Sequence, residues 1–454
     1  MMERRSFLQL AGATSGGLIL PGGLTAVANA AEAGRESPGR LASTRDDVPR
    51  TGFEQRRGDG WTLLDEELEF LSSVAALSDR VDVDVVGESV QGRPLHLVRI
   101  GVPQPTTTRN RRRSAALWIG AQHGNEPAGR EAMLIALRDL AFTDNAMLVQ
   151  QMRAQQMLVI PTANPDGRAA NDRENSNAVD LNRDYFSLTQ PETRAIQAVA
   201  LDWDPDVVVD HHEYRNWGGP VETDVRYLWP RNLNTDPAVR RLARSLCEDY
   251  IARGARREGW TADEYWRHSV GPHGVYFMNP AGATGNTGAM GLRHSLGVTF
   301  ESVRDGNLED YAGEDMTSPA NKRDRVARHV QAVEDTLRFL RDCGRQALRT
   351  STEAALLAAR DGADRSRPTY WGGADNDPPA DDEIDDPPPC HYELTRQQAD
   401  QLSTVLALHG IRVQRRESKF EVPMGQATRP AIPLLLDERS DDRLGNARPV
   451  YGCE

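Results

Sequence analysis

The sequence predicts an α/β fold: a mixed, mostly parallel central sheet flanked by helices on both faces, plus a small C-terminal α+β module. Three observations carry this. Apolar strand-length runs alternate with amphipathic helical stretches from residue 81 to residue 348. Runs such as Val207-Val208-Val209 are apolar at consecutive positions, as strands covered on both faces are. Beyond residue 360 the pattern yields to a run of Asp and Pro, and then a short second set of elements begins.

The elements follow in order. Residues 1–30 read as an export signal of the twin-arginine type. Arg4-Arg5 precede an apolar stretch, and Ala28-Asn29-Ala30 offers small residues for cleavage. This predicts a periplasmic or secreted protein. Residues 31–60 are polar and read as a leader. Helical periodicity covers 63–77, and strands at 81–86 and 95–100 flank the turn Gln91-Gly92-Arg93-Pro94. A strand at 115–120 leads to a helix at 127–140, with Pro127 in its first turn. After a strand at 157–160, Thr189-Gln190-Pro191-Glu192 predicts a capping box for a helix over 189–201. A strand at 207–209, a long helix at 237–257, a strand at 297–300 and a closing helix at 321–348 complete one large domain, 61–348. Residues 349–389 read as an acidic, proline-rich linker. The module at 390–454 starts with a helix from Thr395 to Leu408, stopped by Gly410. Strands at 411–413 and 420–422 follow it.

Composition narrows the function. A net charge of -13 argues against a nucleic-acid partner. Outside the signal no apolar run reaches ~18 residues, so no membrane span is expected after signal removal. The cysteines lack CxxC spacing, which disfavours a thiolate metal site. Cys390 and Cys453 bracket the module and are placed to staple it; Cys247 and Cys343 read as buried thiols. Nothing in the pattern specifies an oligomeric state.

Polar clusters stand at the ends of the apolar strands. The strand at 115–120 delivers His123 and Glu126, that at 157–160 Asn164-Pro165-Asp166-Gly167, that at 207–209 Asp210-His211-His212, and that at 297–300 Glu301. Open α/β sheets place ligands beyond the carboxyl ends of their strands. His123, Glu126 and one of His211 and His212 make the three-ligand set of a hydrolytic zinc site. A carboxylate nearby, for which Glu301 is the candidate, serves as general base. Asn182-Arg183 offers a clamp for an anionic group.

Six segments together resemble the M14 family of zinc metallocarboxypeptidases, the carboxypeptidase A type. They are Gly87 through Pro94, His123-Gly124-Asn125-Glu126, Asn164-Pro165-Asp166-Gly167, Arg173 through Arg183, Asp210 through Tyr214, and Thr299 through Asp305. The resemblance spans residues 61–348 and implies one Zn2+ per chain on His123, Glu126 and His212. It implies Glu301 as catalytic glutamate, Arg173 as the group that polarises the scissile carbonyl, and Asn182 and Arg183 as holders of a substrate carboxylate. Tyr276 matches the family's mobile tyrosine loosely. The implied partner is a peptide or peptide-like substrate with a free C-terminal carboxylate. Alternatives are a peptidoglycan stem-peptide amidase, an N-acyl amino acid deacylase, and a non-catalytic peptide-binding protein. The glycine-rich loop at 282–288 is expected to shape the pocket. The C-terminal module resembles a tail of some bacterial relatives; rim-building and simple packing are its two readings.

Overall fold

Successive side chains of each central strand enter two different cores, which makes the sheet two-sided. Leu117 and Ile119 pack with Leu158, Ile160 and Val208 on one face. Ala116 and Trp118 pack with Val159, Val207 and Val209 on the other. The computed structural model describes residues 48–102, 113–214, 223–265, 270–271, 274–275, 284–304, 317–375, 377–417 and 419–453. The export segment and Tyr276 lie outside the described residues.

The strands are β1 (Val81–Glu88), β2 (Pro94–Ile100), β3 (Ser114–Gly120), β4 (Gln155–Ile160), β5 (Val207–Tyr214), β6 (Val225–Leu228) and β7 (Ala262–Glu264). A two-residue ribbon follows, β8 (Val270–Gly271) with β9 (Gly274–Val275), and then β10 (Leu296–Val303). The main sheet has the order β1-β2-β4-β3-β5-β10-β6-β7. Its centre, β4-β3-β5-β10, is parallel throughout. The β1/β2, β2/β4 and β10/β6 pairs are antiparallel. This is the mixed sheet the alternation predicts. Helices Pro127–Phe142 and Pro319–Asp364 bury Leu134, Leu137, Leu337 and Leu340 against one face. Helices Pro191–Trp203 and Asn286–Leu292 bury Ile196, Val199 and Met290 against the other.

Several boundaries differ from expectation, each for a physical reason. The closing helix does not stop near residue 348 but runs from Pro319 to Asp364. Its alanines and leucines carry good helix propensity straight through the start of the expected linker. The expected leader already has structure from residue 48. Thr51 caps the helix Gly52–Gln55, Phe53 is buried, and Glu54 pairs with Arg138 at 2.6 Å. Thr189 is not a cap: the helix Pro191–Trp203 has Gln190 at its N-cap, and the Thr189 hydroxyl donates to Asp184 at 2.7 Å. The helix expected at 237–257 passes through a π segment, Leu246–Ala252. The strand expected at 411–413 lies instead at Gln414–Arg416. The glycine-rich loop turns into helix at Asn286, which the glycines disguise.

The C-terminal segment packs onto this frame. Strands β11 (Thr369–Tyr370) and β12 (Ile384–Asp385) pair across the expected linker. Then β13 (His391–Leu394), β14 (Gln414–Arg416), β15 (Lys419–Pro423) and β16 (Arg448–Val450) form a second sheet in the order β14-β15-β13-β16. Helix Arg396–Leu408 covers it, and its core of Tyr392, Leu402, Leu406, Val422 and Leu435 also takes in Phe186 and Leu292 from the main fold. Cys390 and Cys453 are bonded, which ties the first and last strands of the module together. A Cβ at Gly362 would lie 2.0 Å from the Met424 carbonyl oxygen, so only glycine lets the long helix dock there. The described residues all belong to one compact unit.

Candidate active site

The site forms where β3, β5 and β10 end. The chain leaves β3 through Ala121, whose φ of 48° is unusual for a residue with a side chain. Main-chain bonds hold that exit: Ala163 N donates to Gly120 O at 2.9 Å, and Asn164 N to Ala121 O at 3.0 Å. The next turn, His123 to Glu126, packs directly on the Asn164-Pro165-Asp166-Gly167 turn. A Cβ on Gly124 would stand 1.9 Å from the Gly167 carbonyl carbon, so glycine is required between the two polar residues. Strand β5 runs to Tyr214, further than its apolar start suggests, so both histidines lie within it. Alternation therefore sends His211 and His212 to opposite faces.

His123, Glu126 and His212 converge. All three are buried, and one donor atom from each lies within 4.8 Å of the others. The His123 Nδ1 stands 2.9 Å from Glu126 Oε1 and 3.1 Å from His212 Nδ1. The His212 Nδ1 stands 3.0 Å from Glu126 Oε2. The remaining nitrogens face carboxylates: His123 Nε2 meets Asp180 Oδ1 at 2.9 Å, and His212 Nε2 meets Asp210 Oδ2 at 2.9 Å. Those carboxylates fix both rings and leave the Nδ1 atoms pointing at one place.

The electrostatics match. Burial opposes charge on Glu126, yet His123 and His212 hold its pKa well below the usual range. Burial likewise disfavours a charged His212, but Asp210 and Glu126 raise its pKa well above normal. Asp180, though desolvated, is lowered by His123 and Arg173. The cluster is thus built around positive charge. The other histidine behaves oppositely. His211 Nδ1 meets His329 Nδ1 at 2.9 Å beside the Phe300 ring, and burial lowers its pKa to about 3. It takes no part in the converging group.

Glu301, Arg173, Asn182 and Arg183 line one cavity of about 820 Å³ with His123 and Glu126. Glu301 stands opposite His212 in the β10/β5 register. Burial raises its pKa to about 7, with His212 pulling down and Glu126 pushing up. Arg304 donates to the Asn125 carbonyl. Arg173 holds Asp180 at 2.8 Å and reaches His123 Nδ1 at 3.1 Å, with 42% of its side chain exposed. Asn182 Oδ1 accepts from Asn286 N at 2.9 Å, while Arg183 folds over its neighbour's carbonyl at 2.8 Å.

Sequence reasoning missed three residues here. Asp180 and Asp210 each precede a predicted residue by two positions, a spacing that shares a strand face at Asp210 and His212. Tyr265, just past the end of β7, also lines the cavity. Glu301 and burial raise its pKa, so it stays a neutral phenol. A three-residue edge strand leaves no pattern by which to find it.

Two buried imidazoles and a carboxylate, with both spare nitrogens anchored, fit a zinc ion. The zinc carboxypeptidase family model matches residues 68–200. That stretch includes His123, Glu126, Arg173, Asn182 and Arg183; His212 and Glu301 lie beyond it. Carboxypeptidase 2 of Trichophyton rubrum is 29% identical over 217 residues, 45% of this chain and 40% of that protein. Probable carboxypeptidase 2 of Arthroderma benhamiae is 28% identical over 270 residues, 56% of this chain and 47% of that protein. This chain thus spans less than half the length of these curated relatives. Among solved structures, carboxypeptidase A of Helicoverpa armigera is 15% identical with a TM-score of 0.48, covering 64% of this chain and 74% of that one. A metallo-carboxypeptidase of Pseudomonas aeruginosa is 21% identical with a TM-score of 0.44, covering 60% and 68%.

Proposed function

We propose that this chain is an exported, zinc-dependent metallocarboxypeptidase that hydrolyses the last peptide bond of a substrate with a free C-terminal carboxylate. One observation carries the reading: His123, Glu126 and His212 converge at the edge of a cavity that Glu301, Arg173, Asn182 and Arg183 also line. In this reading His123, Glu126 and His212 hold one zinc ion. When bound, zinc supplies a Lewis acid that acidifies water and polarises a carbonyl.

The chain's own groups do the rest. Glu301 takes the proton of the attacking water and passes it to the leaving amine. Its raised pKa suits both halves of that task. Arg173, half-exposed beside the ligands, donates to the oxygen that becomes negative at the scissile carbonyl. Asn182 and Arg183 take the terminal carboxylate, the guanidinium through paired hydrogen bonds. Asp180 and Asp210 act through the two histidines.

Export has its own support. Arg4-Arg5 and the small residues near Ala30 form the signal pattern, and the Cys390–Cys453 bond suits an oxidising compartment. Among the described residues no helix is long and apolar enough to cross a membrane.

The test is mass spectrometry of a mixed peptide library after incubation with purified, zinc-loaded protein. Shortening by one residue from the C-terminus is expected. Cleavage of muropeptides alone would shift the substrate class to cell-wall stem peptides. Intact peptides of both kinds would overturn the reading.

A further inference from the structure

Glu126 opens helix Pro127–Phe142 as its N-cap residue, but its carboxylate is turned to His123 and His212 and makes no cap hydrogen bond. A helix start needs acceptors for its first N–H groups. Pro127 carries no N–H, so Ala128 N is the first donor in need. Glu213, at the neighbouring end of β5, meets it: Ala128 N donates to Glu213 Oε2 at 3.0 Å. The same residue holds Glu126 a second time, through its main chain. Glu213 N donates to Glu126 Oε2 at 3.0 Å. Glu213 thus caps the helix that Glu126 leaves uncapped, and a carboxylate suits the positive end of a helix.

Both oxygens of Glu213 are committed, which separates it from the reacting groups of the cavity it lines. Its Oε1 accepts from Arg325 Nε at 2.6 Å, and both side chains of this pair are buried. Arg325 is itself supported. Its Nη1 donates to Asn321 Oδ1 at 3.3 Å, and its guanidinium lies 5.1 Å from the Trp61 ring centre. Asn321 Nδ2 donates to the Arg304 carbonyl at 3.3 Å, and Arg304 donates to the Asn125 carbonyl. Arg168 Nη1 donates to Gly124 O at 2.5 Å. The turn that presents His123 and Glu126 is therefore gripped by two guanidiniums on its carbonyls and by Glu213 on the helix it starts. A buried ion pair adds little net stability over apolar packing. Placed against both the carboxylate and the helix start of one ligand residue, this pair has a use that stability does not account for.

Resting on the zinc reading of the site, we propose that Glu213, held by Arg325, is a positioning residue that fixes Glu126 for the metal and so sets zinc affinity. It acts through Glu126 and is not itself a ligand.

The experiment measures zinc affinity by chelator competition, and the visible spectrum of the cobalt-substituted protein, on the full chain and on Glu213→Gln, Arg325→Met and Asp335→Asn. Circular dichroism of the metal-free proteins reports folding. Glu213→Gln should weaken zinc binding roughly 10- to 100-fold and alter the cobalt spectrum, because the ligand carboxylate loses its fixed place. Arg325→Met should move both readouts the same way by a smaller factor. Asp335 is the control: a buried acid paired with Arg257 at 3.1 Å and with Arg338, outside the cavity lining. Asp335→Asn should lower denaturant stability and leave zinc affinity within about twofold. A folded Glu213→Gln that binds zinc within about twofold of the unaltered chain, with the cobalt spectrum unchanged, overturns the role of Glu213 and leaves the zinc reading standing. An equal loss of affinity in Asp335→Asn overturns it too, because general loosening would then explain both. If Glu213→Gln does not fold, Arg325→Met decides by the same readouts. An unaltered chain that takes up no zinc defeats the zinc reading itself.

Discussion

The two faces of β5 carry adjacent histidines with opposite fates. His212 faces Asp210 and Glu126, and these carboxylates drive its pKa up. His211 faces His329, Phe300 and the long helix, and burial drives its pKa down. Both rings are buried, so burial alone does not separate them. What differs is the charge each meets, and with it the work each can do. One side of the strand is prepared for a cation and the other for neutral packing.

Four substitutions sharpen or break this contrast. The largest effect is expected on the cavity side. Glu301→Gln should keep zinc but lose about 10²- to 10⁴-fold in kcat, the range for a general base. Full activity would remove Glu301 from the chemistry. Its pH profile bears on the same point. Glu301 works as a carboxylate, so activity should fall as pH drops through its pKa. Burial sets that value to about 7, and a nearby zinc cation lowers it further. The acidic limb should therefore lie below pH 7 in kcat/KM measured across pH.

Next comes Arg183→Ala. Losing a charged hydrogen bond of about 1.5–3 kcal/mol should raise KM roughly 10- to 100-fold with a smaller change in kcat. Steady-state kinetics on one peptide checks this, and an unchanged KM would place the carboxylate elsewhere. Asp180→Asn touches zinc only through His123, and should weaken zinc binding about 10- to 100-fold. Competition with a chelator reads that directly. The smallest functional effect belongs to the other face. His211→Leu leaves His329 without its 2.9 Å partner and should cost about 1–3 kcal/mol in denaturant stability. Zinc content and turnover should hold; their loss would erase the contrast.

Much of this architecture is written locally. Apolar strands running into His123-Gly124-Asn125-Glu126, Asp210-His211-His212 and Glu301 mark both the sheet and the end of it that matters. Alternation along β5 separates the histidines once the strand is seen to run on to Tyr214. What is not local stays hidden. Asp180 and Asp210 look like ordinary acids until the fold brings them to ring nitrogens. The helix end at Asp364 was invisible because alanine-rich sequence favours helix on both sides of residue 348. Asp375 sits in a stretch of Asp and Pro that reads as a loose linker, yet it holds Trp229 from 146 positions away. Contacts of that separation depend on docking, which periodicity does not encode. Tyr276 lies outside the described residues.

Zinc analysis of the purified chain beside His211→Gln and His212→Gln is the most direct measurement. The prediction is one equivalent per chain for the first two and none retained by the third. Stoichiometric zinc in His212→Gln, or its loss only in His211→Gln, would contradict the assignment of the cation site to this face of β5.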